Sequence, residues 1–200
     1  MSSYDMKKIV LLSRKSFLAK IQTHIAKIEI NKIKKNLIDI HYSSSVGDKD
    51  LSAKAWVQHG FGIFTNSLSK KLVLKEADVV VHSYKDLPVK NLNKTSFVCL
   101  KRDDPRDIIL IKRSSLNKKK LVIGTSSPRR KYYLKKLKEF LPFQELKSIQ
   151  IRGNVPSRLE KVLNSSKEDG LFIAKAAIDR ILKYGQKIDK KEYKNFRLNF

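Results

Sequence analysis

Short apolar runs alternate with longer amphipathic stretches along the first half of the chain. Each run has the apolar, β-branched composition of a buried strand. The predicted strands are KIVLLS (8–13), LIDIHYS (37–43), DVVVHS (78–83) and SFVCLKR (96–102). A helix is predicted to begin at Ser16, because the apolar residues that follow are spaced by three and four. Its apolar face consists of Leu18, Ile21, Ile25 and Ile28. A further amphipathic segment lies near 63–75.

The second half repeats this alternation after the lysine-rich loop 117–120. Its predicted strands are LVIGTSS (121–127), SIQIR (148–152) and the start of GLFIAKAAI (170–178). The apolar run IILIK (108–112) precedes this loop and follows the charged turn 103–107. Ser127 followed by Pro128 indicates a helix start, since serine caps the N-terminus and proline suits the first turn. Another helix is predicted to open at Pro156, and the last to stop at Gly185.

The β-α-β-α order predicts an α/β fold with a mostly parallel sheet. We place the domain boundary near 99–107, which gives an N-terminal α/β domain (1–100) and a second α/β domain (101–200). Open α/β sheets bind ligands at the carboxyl ends of their strands. Candidate chemistry is therefore expected where strands end.

Composition limits the possible functions. The 200 residues are 41% hydrophobic and carry a formal net charge of +25. That charge fits nucleic-acid binding, a site for an acidic small substrate, or a solvated lysine-rich surface, and the scattered lysines favour the last. One cysteine and four histidines without metal-ligand spacing predict no disulfide and no metal site. No membrane span and no signal peptide are indicated, so we expect a cytoplasmic protein.

Arginine is used selectively. Only ten of the 44 basic residues are arginines, and most of them lie in short turn-bounded motifs. Guanidinium grips a carboxylate or phosphate through two parallel hydrogen bonds, whereas lysine is a flexible point charge. The pattern indicates a site for a polyanion. The arginines concerned are Arg14, Arg102, Arg106, Arg129, Arg130, Arg152, Arg158 and Arg180.

Two motifs place charged groups at strand ends. In HSYKDLP (82–88), Lys85 and Asp86 follow a strand, where an acid beside a base can orient a substrate and move a proton. A solvated turn with a local ion pair is an equally simple interpretation. In GTSSPRR (124–130), hydroxyls and amides meet two arginines at a helix N-terminus, which is a ready anion site. Cations there oppose the helix dipole, which favours the anion site over a plain surface helix.

Two later segments repeat this arrangement. In IRGNVPSRLEKV (151–162), Arg152 follows a strand and Arg158 lies at the start of the next helix. Arg180 lies on a helix that follows a strand, and taken alone it is as well explained as a surface cation.

Together these motifs resemble the hydroxymethylbilane synthase family, also called porphobilinogen deaminase. They occur in that family's order over nearly the whole chain. The matching segments are SRKSFLAKIQ (13–22), GDKDL (47–51), HSYKDLP, RDDPRD (102–107), VIGTSSPRR, IRGNVPSRL and LFIAKAAIDRI (171–181). The resemblance implies two domains like type II periplasmic binding proteins, with the active site in the cleft between them.

The resemblance also implies roles for particular residues. A covalent dipyrromethane cofactor primes the stepwise condensation of porphobilinogen, with loss of ammonia, in haem and porphyrin biosynthesis. Asp86 matches the family's catalytic acid. The positions that bind acetate and propionate side chains, or contact them through polar groups, match Arg14, Gln22, Ser83, Lys85, Thr125, Ser127, Arg129, Arg130, Arg152, Arg158 and Arg180. The family is usually monomeric, and no membrane or specific nucleic-acid partner is implied.

The chain departs from the family in several places. Phe61 stands where a loop lysine is usual, Asn66–Ser67 replace Lys-Glu, and Phe17 replaces a common proline. The family's third domain, with the cysteine that attaches the cofactor, is not found in these residues. Cys99 does not match that cysteine, and we expect it to be buried within a strand.

Three hypotheses follow from the sequence. The first is a transferase of this family, impaired as the 200 residues stand. The second is a non-catalytic two-domain module that binds a polycarboxylate. The third is a nucleic-acid-binding protein, which the absence of aromatic residues interleaved with basic ones disfavours.

Overall fold

The structure is a computed structural model that describes residues 8–33, 35, 37–44, 65–87 and 95–198. The chain divides into two compact units, Met1–Arg102 and Asp103–Phe200. Several sequence predictions lie outside the described residues. They concern GDKDL (47–51), the loop 59–64 with Phe61, and Pro88.

The first unit is built on a three-stranded parallel sheet in the order β2-β1-β3. Its elements are β1 (Lys8–Arg14), α1 (Phe17–Ile33), β2 (Leu37–Ser43), α2 (Asn66–Val73), β3 (Val79–Val80) and a 3-10 turn (Tyr84–Asp86). The long pairing of β1 with β2 runs from Lys8 opposite Leu37 to Arg14 opposite Ser43. Both strands therefore end at the same edge of the sheet.

The central strand β1 anchors the core of this unit. Leu11 and Leu12 are buried, as expected for a strand with a neighbour on each side. On α1, Phe17 in the first turn and Ile21 in the second turn are buried. The phenylalanine that replaces the family's usual proline therefore has a packing role. Burying side chains of this size stabilises a fold by about 1.5–3 kcal/mol each.

The second unit holds a four-stranded sheet in the order β4-β7-β5-β6. Its strands are β4 (Asp107–Ile111), β5 (Lys120–Gly124), β6 (Glu145–Ile149) and β7 (Gly170–Ala174). Its helices are a 3-10 turn (Arg113–Ser115), α3 (Pro128–Leu137), α4 (Val155–Asn164), α5 (Lys175–Ile188) and α6 (Lys190–Leu198). Only the edge strand β4 runs antiparallel to its neighbour.

Buried apolar residues and one close backbone contact hold the second sheet together. Leu121, Ile123, Leu134 and Phe172 form its core cluster. At Gly170 a Cβ atom would collide with the backbone oxygen of Leu110 on β4. Glycine is therefore required where β7 begins.

Asp169 links three parts of the second unit. Its buried carboxylate accepts hydrogen bonds from Ser115 Oγ (2.8 Å), Lys118 Nζ (2.6 Å) and the backbone N–H of Val122 (2.8 Å). Burial opposes the charge of Asp169, but these donors hold the pKa of its carboxyl below the ordinary value. The sequence analysis did not single out this residue.

The predicted strand at 96–102 is wrong. Residues 95–106 form no strand, because no described strand pairs with them to supply a hydrogen-bond ladder. Val98 is 90% exposed and Phe97 51% exposed. Cys99, expected to be buried, is exposed as well.

Other boundaries differ from prediction in smaller ways. The strand expected at 78–83 is only Val79–Val80, and the one expected at 148–152 is Glu145–Ile149. The last predicted helix does not stop at Gly185, which is buried inside α5. Helix α6 was not predicted, and it packs through the fully buried Phe196. The N-cap at Ser127 is confirmed, since its side chain accepts from the N–H of Arg130.

Two negative observations apply to the residues with described coordinates. None of their helices has both the length and the apolar character needed to cross a bilayer. Within the same residues, no three His, Cys, Asp or Glu side chains are grouped so as to hold a metal ion.

Candidate active site

In the first unit, Arg14 and Asp86 meet at the carboxyl edge of the parallel sheet. Arg14 is the last residue of β1, and Asp86 ends the 3-10 turn that follows β3. Arg14 Nη1 lies 4.0 Å from Asp86 Oδ2, and each side chain is about a quarter exposed. This distance is too long for a hydrogen bond, so the Asp86 carboxylate remains accessible to a ligand.

The backbone of the 3-10 turn presents this carboxylate. Asp86 N–H donates to the backbone oxygen of Ser83, and Leu87 N–H donates to that of Tyr84. Lys85, inside the turn, is exposed. A strand that ends after Val80 and then tightens into this turn brings Asp86 back toward the end of β1.

Gln22 and Ser83 form a reciprocal polar pair. The Gln22 Nε2 amide donates to Ser83 Oγ at 3.0 Å, and the Ser83 hydroxyl lies 3.2 Å from Gln22 Oε1. The pair ties α1 to the start of the 3-10 turn. Both residues were predicted to contact ligand, and in the structure they support the loop that carries Asp86.

His82 was not among the predicted site residues. Burial, together with the nearby Arg14 guanidinium, lowers the pKa of His82 from 6.5 to about 4. Its Nε2 atom is buried and has no hydrogen-bond partner within the described part of the chain. His82 is therefore neutral at physiological pH. The signal available in the sequence was its place at the head of the HSYKDLP motif.

In the second unit, the hydroxyl groups at the N-terminus of α3 form hydrogen bonds within the protein. Buried Thr125 accepts from Ser127 N–H at 3.3 Å, and Ser127 Oγ accepts from Arg130 N–H at 3.4 Å. Ser126 Oγ donates to the backbone oxygen of Ile151 at 2.5 Å. These bonds fix the first turn of α3 and the arginines it carries.

Arg129 and Arg130 share one carboxylate, that of Asp107. Arg129 Nη1 lies 2.6 Å from Asp107 Oδ2, and Arg130 Nη2 lies 2.8 Å from Asp107 Oδ1. The environments of the two arginines differ, because the Arg129 side chain is 59% exposed and that of Arg130 only 14%. Arg130 also donates to the backbone oxygen of Phe172 at 3.4 Å. Burial opposes the charge of Asp107, but the two guanidinium groups hold its pKa below the ordinary value.

Arg158, in the first part of α4, lies near Arg130 of α3. Gly153, at φ +122°, makes the turn before this helix, and Asn154 caps it by accepting from Ser157 N–H at 2.9 Å. Burial and the charge of Arg130 lower the pKa of the Arg158 guanidinium. No described carboxylate pairs with Arg158, whose Nε–H donates only to the backbone oxygen of Asn154 at 3.4 Å. Of the neighbouring Arg130 and Arg158, only Arg130 has a carboxylate partner among the described residues, which favours a bound anion beside them.

Arg180 and Arg152 were also predicted to bind ligand. Arg180 Nε donates to Asp103 Oδ2 at 2.6 Å. Arg152 is half-buried between β6 and α4, and its backbone oxygen accepts from Lys161 Nζ at 3.1 Å. The sequence analysis missed the carboxylates of Asp103 and Asp107, although both belong to the RDDPRD motif.

Comparison with known proteins decides the family. Residues 9–196 match the family described as porphobilinogen deaminase, dipyromethane cofactor binding domain. The chain belongs to the porphobilinogen deaminase family. Its resemblance to that family, first seen in ordered motifs, is thereby confirmed.

Individual members of the porphobilinogen deaminase family show the same relationship. The porphobilinogen deaminase of Ruminiclostridium cellulolyticum is 36% identical over 178 residues, which cover 88% of this chain and 59% of the relative. The probable porphobilinogen deaminase of Picrophilus torridus is 38% identical over 173 residues, covering 84% and 58%. A Synechococcus porphobilinogen deaminase is 36% identical over 187 residues, covering 90% and 57%. The chain thus spans somewhat under 60% of the length of these relatives.

Structural comparison adds little to this assignment. A chain from work on glutathione import in Streptococcus mutans aligns with a TM-score of 0.38 and 10% identity over 97% of this chain and 87% of that one. This likeness is too low to bear on the fold.

Proposed function

We propose that this chain performs the substrate-binding and proton-transfer work of a porphobilinogen deaminase, also called hydroxymethylbilane synthase. The reaction is a transferase step of tetrapyrrole biosynthesis that condenses porphobilinogen and releases ammonia. The observation that carries the proposal is the half-buried Asp86 carboxylate, held 4.0 Å from Arg14 at the carboxyl edge of a parallel sheet. The match of Asp86 to the family's catalytic acid supports this role.

Asp86 acts on protons in this proposal. Release of ammonia breaks a C–N bond, and the leaving nitrogen departs with the electron pair. A carboxyl group within hydrogen-bond reach supplies the proton that this nitrogen needs, and the resulting carboxylate accepts a proton when the new C–C bond is complete. Arg14 places a positive charge 4.0 Å from Asp86 Oδ2, and His82, whose pKa burial and Arg14 lower to about 4, adds no second positive charge near Arg14.

Arg130 and Arg158 bind substrate carboxylates in this proposal. Each pyrrole ring of the substrate carries an acetate and a propionate group, so a growing chain needs several guanidinium groups. Arg158 has no carboxylate partner among the described residues, and Arg130 is largely buried. Desolvated, charge-assisted hydrogen bonds of this type contribute about 1.5–3 kcal/mol each. Arg129, Arg152, Arg180, Thr125 and Ser127 support this surface.

The donor set fits the dipyrromethane cofactor of the family. Its side chains are also carboxylates, and the like-charged Arg130 and Arg158 lack enough acid to balance them. When bound, dipyrromethane supplies the pyrrole end to which new units are added. The sequence has one cysteine, Cys99, in an exposed segment, and we expect no thioether there.

The proposal has further parts. We expect a fold of the type II periplasmic binding protein class, a monomer, a cytoplasmic location and no specific nucleic-acid partner. RNA and DNA are expected to bind weakly and with steep salt dependence, as scattered lysines do.

The test is titration of the purified 200-residue protein with porphobilinogen by calorimetry, followed by assays for ammonia and linear tetrapyrrole. Saturable binding that falls in Arg158→Lys, but not in the exposed control Lys8→Arg, is the expected result. Binding without any ammonia, even after addition of dipyrromethane, would indicate a non-catalytic module instead. Absence of saturable binding would refute the proposal.

Intact-mass measurement tests the cofactor separately. Protein incubated with dipyrromethane is compared with a Cys99→Ser variant. We expect no covalent increment in either protein, and an increment present only with Cys99 would assign the attachment to this residue.

A further inference from the structure

Asp107 is the first residue of β4 and lies against the N-terminal turn of α3. Its position is fixed by the antiparallel pairing with β7, which sets Asp107 opposite Ala174. Its side chain is 12% exposed, and each of its two oxygens contacts a different arginine. A carboxylate placed this way controls the direction of both guanidinium groups.

The two arginines need such control. Consecutive residues on a helix point about 100° apart, so Arg129 and Arg130 do not face the same point by helix geometry alone. Arg129 contacts the Tyr133 ring, with its guanidinium 6.0 Å from the ring centroid, whereas Arg130 lies 5.9 Å from the ring centroid of Phe172. Asp107 lies between them and binds both.

The contacts of Arg130 leave part of its guanidinium available. Nη2 is bound to Asp107 and Nη1 to the backbone oxygen of Phe172. Nε is buried and has no hydrogen-bond partner in the described residues. The charge of Arg130 also reaches Arg158, whose pKa it lowers. Nη1 and Nη2 each carry a second N–H beyond these bonds, so Arg130 is directed by Asp107 while retaining donors for a ligand shared with Arg158.

We propose that Asp107 is a positioning residue that orients Arg130 so that it binds a pyrrole carboxylate together with Arg158. This inference rests on the proposed function, and it adds a residue that the family resemblance did not assign to the site. Asp107 does not contact the substrate in this proposal. Its negative charge also keeps the site selective, because uncompensated guanidinium groups attract any small anion.

The test compares two ligands, porphobilinogen and inorganic pyrophosphate, by calorimetry. In Asp107→Asn we expect porphobilinogen to bind at least tenfold more weakly, while pyrophosphate binds as in the wild type or more tightly. A residue with a purely structural role would lower both affinities together. The matched control is Asp104→Asn, because Asp104 belongs to the same turn and pairs with Arg106 and Lys175 instead. Its two affinities are expected to stay within twofold of wild type.

The conservative variant Asp107→Glu provides a second test of the proposal. Asp107→Glu keeps the charge and is expected to recover part of the selectivity. If Asp107→Asn does not fold, a shift of at least threefold in the affinity ratio of Asp107→Glu supports the proposal, and an unchanged ratio overturns it. In folded Asp107→Asn, an unchanged porphobilinogen affinity or an equal loss for both ligands also overturns it.

The role of Asp107 can also be tested if the proposed function is wrong. If wild-type protein does not bind porphobilinogen, the role of Asp107 is measured by nitrogen-15 NMR of the arginine side chains. Restricted rotation of the Arg130 guanidinium in wild type, lost in the Asp107 variants, supports positioning, whereas equal mobility in all proteins contradicts it.

Discussion

The two units differ in how closely their acids and arginines are paired. In the first unit the Asp86 carboxylate lies 4.0 Å from the Arg14 guanidinium, without a hydrogen bond between them. In the second unit Asp107 and Asp103 together hold three arginines, Arg129, Arg130 and Arg180, at 2.6–2.8 Å. A loosely held acid can exchange protons with a substrate, whereas tightly directed guanidinium groups can grip one. Under the proposed function, chemistry and anchoring are divided between the units.

Removing the acid of the first unit is expected to have the largest effect. Asp86→Asn keeps the shape of the side chain but cannot give or take the proton, so turnover of porphobilinogen should fall by about 10²–10⁴-fold. Tetrapyrrole formation by dipyrromethane-loaded protein is the measurement, and Asp39→Asn on the exposed edge of β2 is the control. Near-wild-type turnover would remove Asp86 from the mechanism.

The next effect concerns the stability of the second unit. Asp169→Asn replaces a buried acceptor of three hydrogen bonds, and the free energy of unfolding should fall by about 2–3 kcal/mol. Urea unfolding measures this loss. Glu145→Gln, on a more exposed carboxylate that pairs with Lys147 and Lys120, should change the free energy of unfolding far less. Equal losses would show that the Asp169 contacts contribute no more than a surface pair.

Acid should destabilise the first unit before the second. Folded His82 stays neutral down to a pKa of about 4, while the unfolded chain takes up the proton near 6.5. Its stabilisation, about 2 kcal/mol after allowance for partial exposure, is therefore complete above pH 6.5 and lost as the pH falls toward 4. The pKa values of Asp107 and Asp169 are lowered, so their contributions persist until the pH falls below about 3.8.

Hydrogen exchange followed by peptide mass spectrometry separates the two units in this experiment. Between pH 6.5 and 4, protection factors, which are corrected for the slower intrinsic exchange at low pH, should fall in peptides of the first unit only. His82→Asn should abolish that fall, and His41→Asn, at an exposed position of β2, should not. A simultaneous fall in both units would contradict the prediction.

The smallest effects distinguish the arginines of the second unit. Arg130→Lys and Arg158→Lys should each weaken porphobilinogen binding by about 1.5–3 kcal/mol, because lysine lacks the planar fork. Arg129→Lys should also weaken it, but by less than about 1 kcal/mol, since that side chain is 59% exposed. Calorimetry on the three variants gives the order. Equal affinities in all of them would mean that charge alone suffices.

Local signals in the sequence predicted much of this architecture. The Ser127–Pro128 start of α3 followed from capping chemistry, and Asp86 was identified because it follows a strand. Asp107 and Asp169 were not identified, because their partners lie more than 20 positions away in sequence and only folding brings them together. The strand prediction at 96–102 was wrong for a related reason, since apolar composition does not show whether a strand has a neighbour to pair with.

That same segment gives the protein a useful chemical property. Cys99 is the only thiol in the sequence, it is exposed, and it lies four residues before the start of the second unit at Asp103. A maleimide dye or spin label will therefore react at one defined position beside the junction of the units. No engineered cysteine is needed to follow that junction spectroscopically as ligand is added.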